Sequence, residues 1–254
     1  MKRNLAIFLM GMTIATMVLG GCKDKENISK KDGKESESVE DKKTFTVGFD
    51  AEYPPYGYMD ENGEYTGFDL ELAEAVCELE GWELVKKPIN WDSKDMELNS
   101  GAIDCIWNGF TMNGREEEYT FSTPYVDNSQ VIVVAEKSGM KTLEDLQGKS
   151  VGVQAASAAL DLLQSEEEGG QKALADTFSA LNEFADYNTA FTELQAGALD
   201  ALAIDVGVAN YQIKSRGEGY QILEETLNTE QYAIGFKKGN QELCDVVNAD
   251  LKKL

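Results

Sequence analysis

Apolar residues after position 44 occur in short runs that are separated by longer polar and amphipathic stretches. These runs are typical of buried strands: FTVGF (45–49), AIDCIW (102–107), SVGVQ (150–154) and LDALAI (199–204). Strands that alternate with helices predict an α/β fold, with mostly parallel sheets that are covered on both faces.

Amphipathic spacing predicts helices between these strands. Apolar residues after Asp69, Ser157 and Asn188 fall on one helical face, and each of these three residues can cap the helix that it precedes. Gly81 and Gly197 end the first and the last of these helices.

The chain repeats its own motifs in order. VGFDA (47–51) recurs as VGVQA (151–155), and GAIDCI (101–106) recurs as GALDAL (197–202). Two matches at similar spacing predict a pair of similar α/β lobes.

Two extended stretches are positioned to connect the lobes: SQVIVVAEKSG (129–139) and EQYAIGF (230–236). We therefore predict that residues 44–128 plus 232–254 form lobe one, completed by a helix over 240–253, and that residues 129–231 form an inserted lobe two. Two connections make a hinge, and the cleft between the lobes is the expected ligand site.

The N-terminus predicts an export signal over residues 1–21, because Lys2 and Arg3 precede an uncharged run over 5–21. LGGC (19–22) resembles the lipobox of bacterial lipoproteins, which implies lipidation of Cys22. A transmembrane anchor is the alternative for this run. Residues 22–43 are almost wholly polar and predict a lipidated flexible tether.

Composition excludes several classes of function. The 254 residues carry a formal charge of −23, which is unfavourable for nucleic acid binding. The chain has no histidine, which removes Ser-His-Asp and Cys-His catalysis and most zinc and iron sites. Cys77, Cys105 and Cys244 show no metal-binding spacing and are predicted to be small buried hydrophobic residues. One disulfide among them is the alternative in an exported protein. We expect no cofactor and no metal.

From Thr44 onward, the chain resembles the polar amino acid-binding proteins of bacterial ABC importers, the extracellular solute-binding protein family 3. The resemblance rests on these motifs in order: VGFDAEYPPYGY (47–58), GEYTGFDLELAEAV (63–76), IDCIWNGFTMNGREEEYTFSTPY (103–125), LQGKSVGVQAASAALDLL (146–163), LQAGALDALAID (194–205) and YAIGFKKGN (232–240). It implies the two-lobed, type II periplasmic binding protein fold, known as a Venus flytrap.

The resemblance also implies roles for two opposite charges. Arg115 occupies the family position that clamps the α-carboxylate of a bound amino acid, for which a guanidinium fork is suited. Asp205 occupies the position that receives the α-ammonium. From the residues alone, Arg115 is also compatible with a surface ion pair to Glu118, and Asp205 with an N-cap.

Other family positions imply backbone donors and a side-chain pocket. Thr111, Ser157 and Ala158 match positions whose N–H groups or hydroxyl bind the carboxylate, although ASA (156–158) replaces the usual G-S-T. Tyr53 matches a stacking aromatic residue. The remaining candidates are walls of the pocket or contacts to the ligand tail: Asp50, Trp107, Asn108 and Phe110. For the three aromatic residues, Tyr53, Trp107 and Phe110, packing in the core is equally compatible. An acid at Asp50 slightly favours arginine or lysine as the ligand.

Two departures from the family pattern affect these expectations. TMNGR (111–115) is one residue shorter than the frequent family loop, which predicts a small displacement of Arg115. The chain stops at DLKKL (250–254), where relatives usually continue through another helix, so we expect either a fragment or a first lobe that lacks a helix.

The predicted function is capture of a polar amino acid and its delivery to the permease subunits of an ABC importer. The protein would act outside the cytoplasm as a monomer, held at the membrane by the lipid on Cys22. An enzyme on the same fold, such as a cyclohexadienyl dehydratase, is an alternative that would need Glu52 or Asp50 as a general acid. A ligand-sensing domain of a receptor is a further alternative.

Overall fold

The computed structural model describes residues 43–217 and 219–254. The predicted signal peptide, the lipidation site Cys22 and the tether up to residue 42 lie outside the described residues. Among the helices that the structure describes, none combines the length and the apolar character needed to cross a bilayer.

The described chain contains both strands and helices, as predicted for an α/β fold. The strands are β1 (Thr44–Phe49), β2 (Glu52–Tyr53), β3 (Gly57–Met59), β4 (Tyr65–Thr66), β5 (Glu83–Pro88), β6 (Cys105–Ile106), β7 (Tyr119–Phe121), β8 (Val126–Ala135), β9 (Ser150–Gln154), β10 (Ala180–Phe184), β11 (Ala201–Asp205), β12 (Tyr220–Ile222), β13 (Asn228–Tyr232) and β14 (Gly235–Lys237). The α-helices are α1 (Phe68–Glu80), α2 (Lys94–Ser100), α3 (Ala158–Gln164), α4 (Lys172–Ala175), α5 (Tyr187–Ala196), α6 (Val206–Arg216) and α7 (Gln241–Leu251).

The first large sheet has the order β5-β1-β6-β14-β7. Strand β1 pairs in parallel with β5 and β6, whereas β14 is antiparallel to both β6 and β7. The strand predicted over 102–107 is shorter than expected, with only Cys105 and Ile106 in β6. Gly101 takes a left-handed conformation at the end of α2, so the chain must first turn before it joins the sheet.

The second large sheet has the order β10-β9-β11-β8-β12, and β13 also pairs with β8. Strand β9 is parallel to β10 and β11, and β8 is antiparallel to its neighbours. We call the part built on the first sheet lobe one and the part built on the second sheet lobe two. The chain enters lobe two at β8, and it returns to lobe one between Tyr232 and Gly235. The exact lobe boundaries given above stay a prediction.

The helix ends confirm some predicted caps and correct two others. Ser157 caps α3, because its Oγ accepts the N–H of Leu160 at 3.2 Å. The prediction for Asn188 is wrong, since Asp186 precedes α5 and accepts the N–H of Thr189 at 2.7 Å. The physical reason is that Asn188 already lies inside the first turn of α5, where its side-chain amide bonds to Glu52 and Gln212 instead.

Asp69 is also not the cap of α1, which begins at Phe68 after Gly67. Its fully buried carboxylate instead accepts the N–H of Gly109 at 2.5 Å and the hydroxyl of Tyr125 at 2.9 Å. Burial raises the pKa of Asp69 to about 7, while these two hydrogen bonds oppose the shift. A residue predicted to cap the start of a helix therefore anchors the loop that leads to the candidate site.

Each lobe has its own apolar core, and aromatic residues of lobe one also pack against lobe two. Tyr53 and Tyr56 belong to a buried cluster that includes Tyr187 and Phe191 of lobe two. The cysteines at 77, 105 and 244 are buried, as predicted, and they are unpaired within the described chain. The aromatic contact indicates that the described conformation has its lobes together.

Candidate functional site

A narrow cavity lies between the lobes, where the carboxyl ends of the parallel strands meet. Lobe one contributes Tyr53, Trp91, Gly109, Thr111 and Arg115 to its lining. Lobe two contributes Gln154, Ser157, Ala158 and Asp205. Six of the residues named from the sequence are thus brought together: Tyr53, Thr111, Arg115, Ser157, Ala158 and Asp205.

Arg115 follows a tight turn in which its N–H donates to the carbonyl of Met112 at 3.0 Å. Its guanidinium carbon lies 5.1 Å from the centre of the Phe110 ring, close enough for a cation–π contact. Its Nη2 lies 2.6 Å from Oδ2 of Asp161 on α3. In the described part of the chain, this acid and not Glu118 is the ion-pair partner of Arg115. The arginine therefore spans from lobe one to lobe two.

Asp205 is almost fully buried at the carboxyl end of β11 and accepts three side-chain hydrogen bonds. The donors are the hydroxyl of Tyr232 at 2.6 Å, Nε2 of Gln130 at 2.7 Å and Nδ2 of Asn128 at 2.8 Å. Helix α6 begins at the next residue, yet the Asp205 side chain makes no capping bond. The carboxylate is thus held towards β8 and β13.

A second carboxylate shares these donors. Glu230 Oε1 accepts from the same two amides, each at 2.8 Å, and from the hydroxyl of Thr111 at 2.7 Å. The pKa of Asp205 is raised to about 6, mainly by burial and secondly by the negative charge of Glu230. Two acids that share neutral donors form an electrostatically unsatisfied group, which a cation would stabilise.

Asp50 lies next to this cavity, on the wall of a wider groove between the lobes. Its carboxylate accepts Nε2 of Gln154 at 2.7 Å and the N–H of Glu52 at 2.8 Å. Burial raises its pKa to about 6. Trp91 lines both spaces, and the acids of the groove are Asp50, Glu52, Asp92, Glu97, Glu183 and Asp186.

Three aromatic or amide candidates lie behind the cavity lining. Trp107 is buried in the core of lobe one, and Phe110 packs edge to face on Trp91 at 5.7 Å. Asn108 is 1 % exposed, and neither its Nδ2 nor its Oδ1 has a partner among the described residues. A direct contact of these three residues with a ligand stays a prediction.

The sequence analysis missed Trp91, Gly109 and Gln154. Gln154 ends β9, just as Asp205 ends β11, so the rule that cleft residues follow parallel strands applies to it equally. Gly109 has φ 57, and an added Cβ would lie 3.0 Å from the Tyr232 ring and 3.1 Å from the Tyr53 ring. Only glycine allows this conformation and this approach without strain.

The sequence of the described lobes matches the model of the bacterial extracellular solute-binding proteins, family 3, over residues 45–254. The chain belongs to this family. The fold is accordingly the two-lobed, type II periplasmic binding protein fold predicted above. The matched residues include both of the lobes that line the cavity.

Individual relatives of this family 3 protein are named as amino acid-binding proteins. The L-cystine-binding protein TcyJ of Escherichia coli (strain K12) is 29% identical over 213 residues, which cover 83% of this chain and 77% of the relative. The arginine-binding extracellular protein ArtP of Bacillus subtilis (strain 168) is 30% identical over 222 residues, covering 86% and 84%.

A solved structure with a bound ligand is also similar. It is an ABC uptake transporter substrate-binding protein from Streptococcus pneumoniae with bound histidine. The TM-score is 0.78 at 34% identity, and the match covers 83% of this chain and 86% of the other. These relatives are binding proteins, and the family is described as extracellular.

Proposed function

We propose that this family 3 protein is the solute-binding component of an ABC importer, which captures a polar amino acid between its lobes and delivers it to membrane permease subunits. The observation that carries the proposal is that Arg115 of lobe one and Asp205 of lobe two line one cavity. A zwitterion bridges such a pair, with its carboxylate on the guanidinium and its ammonium on the Asp205–Glu230 group.

Capture then depends on a population shift between open and closed lobes. A ligand that contacts both lobes binds the closed conformation more tightly than the open one. Thr111, Ser157 and Ala158 line the same cavity as Arg115, which supports their role as donors to the carboxylate. Tyr53 lines the cavity as well, in support of a stacking role.

The acidic groove supports a ligand with a positively charged tail, such as arginine or lysine. Trp91 separates the head-group cavity from the groove, and the lining residues of the groove include acids but no lysine or arginine. A cationic tail passing Trp91 would enter a region of negative potential. Asp50 is linked to the cavity by its hydrogen bond to the lining residue Gln154.

We also propose that the chain is exported, is lipidated on Cys22 and works as a monomer at the outer side of the membrane, without catalytic activity. The extracellular description of the family and the binding activity in the relatives' names support this proposal. Globomycin, which inhibits lipoprotein signal peptide cleavage, is the direct test. Unchanged processing in treated cells, with no lipid found on Cys22, would contradict it.

Calorimetric titration with the standard amino acids and cystine tests the binding function. We expect one or a few polar amino acids to bind with a Kd of about 1 μM or below, and arginine or lysine to be among them. Binding of glutamine or cystine alone would reject the cationic preference but keep the function. The absence of heat and of any thermal shift across the whole set would reject the function itself.

Asp161 provides a further prediction because its ion pair with Arg115 joins the two lobes. Asp161 is largely exposed, so the pair is partly screened, and we expect Asp161→Asn to accelerate ligand release roughly threefold to tenfold. Stopped-flow fluorescence measures this rate. Adding salt should bring the wild-type rate towards that of the variant.

The matched control is Asp176→Asn, since Asp176 pairs with Lys172 at the same distance of 2.6 Å within lobe two. Its removal should leave the release rate unchanged. If Asp161→Asn instead tightened binding, Asp161 would be a competitor of the ligand carboxylate and not a contact that retains the ligand.

A further inference from the structure

Lys94 is a buried lysine at the contact between the lobes. It is the first residue of α2 in lobe one, and only 5 % of it is exposed. Its Nζ donates to the carbonyl oxygen of Ala156 in lobe two at 3.2 Å. Within the part of the chain that the structure describes, Lys94 forms no ion pair.

Such a lysine is unfavourable for stability alone. Burial of an ammonium group that has a single neutral acceptor costs free energy, and a methionine of similar length would avoid this cost. Burial, and then the charge of Arg115, lower the pKa of Lys94, while Asp95, Asp161 and Glu118 act in the opposite direction.

The acceptor, Ala156, has an unusual backbone conformation. Its φ of 55 places it in the left-handed region, and it is the only non-glycine residue with a positive φ among the described residues. This conformation is strained for an alanine, because its Cβ comes too close to the following carbonyl oxygen. Ser157 and Ala158 follow directly and line the cavity with Arg115, so the turn at Ala156 determines where they lie.

The aromatic wall of the cavity connects Lys94 to the same place. The Lys94 amine lies 5.4 Å from the centre of the Trp91 ring, and Trp91 lines the cavity. One side chain thus contacts the wall from lobe one and the turn from lobe two.

We propose that Lys94 is a positioning residue for amino acid capture: its amine holds the left-handed turn at Ala156 against lobe one, and thereby sets Ser157 and Ala158 at the carboxylate end of the cavity. The bond crosses between the lobes, so it forms on closure and is broken on opening. Loss of the amine frees the turn without removing any residue that lines the cavity.

Hydrogen–deuterium exchange tests this role in the closed conformation, with the protein in a saturating mixture of the standard amino acids and cystine, so that the ligand itself need not be known. In Lys94→Met, the peptide over residues 154–163 should exchange at least about threefold faster than in the wild type, whereas Lys94→Arg should restore most of the protection. The matched control is Lys87→Met, because Lys87 bonds to Glu97 at 2.7 Å within lobe one. Lys87→Met should leave the exchange rate of this peptide unchanged.

Titration with L-arginine adds a functional readout; both arms rest on the proposed function, and this arm alone rests on L-arginine as the ligand. Lys94→Met should raise the Kd roughly tenfold, with the arginine variant close to the wild type. Lys94→Gln serves in place of the methionine variant if that one does not fold. Equal exchange of residues 154–163 in all variants would overturn the proposal. If the wild type does not bind L-arginine, the proposed ligand is wrong, and the exchange result still decides the role of Lys94.

Discussion

Replacing Arg115 with methionine should weaken amino acid binding by at least about a hundredfold. The guanidinium is the cation in the cavity lining, and its side chain is only 11% exposed. Without it, the ligand carboxylate would enter a largely desolvated space in which only neutral donors remain. Isothermal titration calorimetry measures the loss directly.

Two further variants make this test specific. Arg115→Lys keeps the charge but loses the planar fork, and it should recover only part of the affinity. Arg216→Met is the matched control, because Arg216 also lies 5.1 Å from an aromatic ring, that of Phe191, but outside the cavity lining. Wild-type affinity in Arg115→Met would show that the carboxylate is bound elsewhere.

Acidification should weaken ligand binding and stabilise the ligand-free protein at the same time. Asp205 has a pKa raised to about 6, so below this pH it becomes protonated and no longer attracts an ammonium group. We expect affinity to fall by up to about tenfold for each pH unit well below this pKa. Calorimetry between about pH 7.5 and about pH 5 measures this decline, in a range where amino acid head groups keep their charges.

Stability changes in the opposite direction because the folded pKa values are raised and not lowered. The pKa values of Asp50, Asp69 and Asp205 rise from 3.8 to about 6, 7 and 6 respectively. The folded chain therefore binds more protons than the unfolded chain between about pH 4 and pH 7. The free energy of unfolding should increase on acidification through this window and decrease as the pH rises through the folded pKa values. Urea unfolding at each pH measures it.

Variants separate Asp205 from the other acids. Asp205→Asn should abolish measurable binding and raise the stability of the ligand-free protein at pH 7, since it removes a buried charge beside Glu230. Glu230→Gln removes the neighbouring negative charge instead, so the acid limb of the affinity profile should move to lower pH. An affinity profile that is flat down to about pH 5 would contradict the role of Asp205.

These opposite responses follow from a single feature of the site. Asp205 and Glu230 are buried together on neutral donors, which is unfavourable in the absence of a nearby cation. The ammonium group of a ligand supplies that cation, so the free energy stored in the empty pair favours capture. The same arrangement explains why a stabilising variant is expected to be inactive.

Much of this architecture was predictable from local patterns. The apolar runs at 45–49 and 150–154 are strands because four of the five positions in each run are buried, which fits a sheet that is covered on both faces. Helix α3 begins where Ser157 can satisfy a free backbone N–H, which is a matter of neighbouring residues only. Arg115 and Asp205 were identified by motifs whose chemistry is contained in a few residues.

Predictions failed where one residue had a choice of partners. Asp69 is of a residue type that favours helix caps, but its carboxylate bonds to Gly109, 40 residues away. Lys94, Asp161 and Glu230 give no local signal either, because each contacts a residue from a distant part of the chain.

The sequence by itself determined the order of strands and helices, the internal repeat and the two charges that the ligand is proposed to bridge. These features depend on the period of apolar residues and on short motifs, which act over a few positions. Only the tertiary structure decided which groups surround those charges, including the pairing of Asp205 with Glu230 and the bond from Lys94 to Ala156. The physical reason is that such contacts form between lobes or between distant strands, and their partners are chosen by packing and burial.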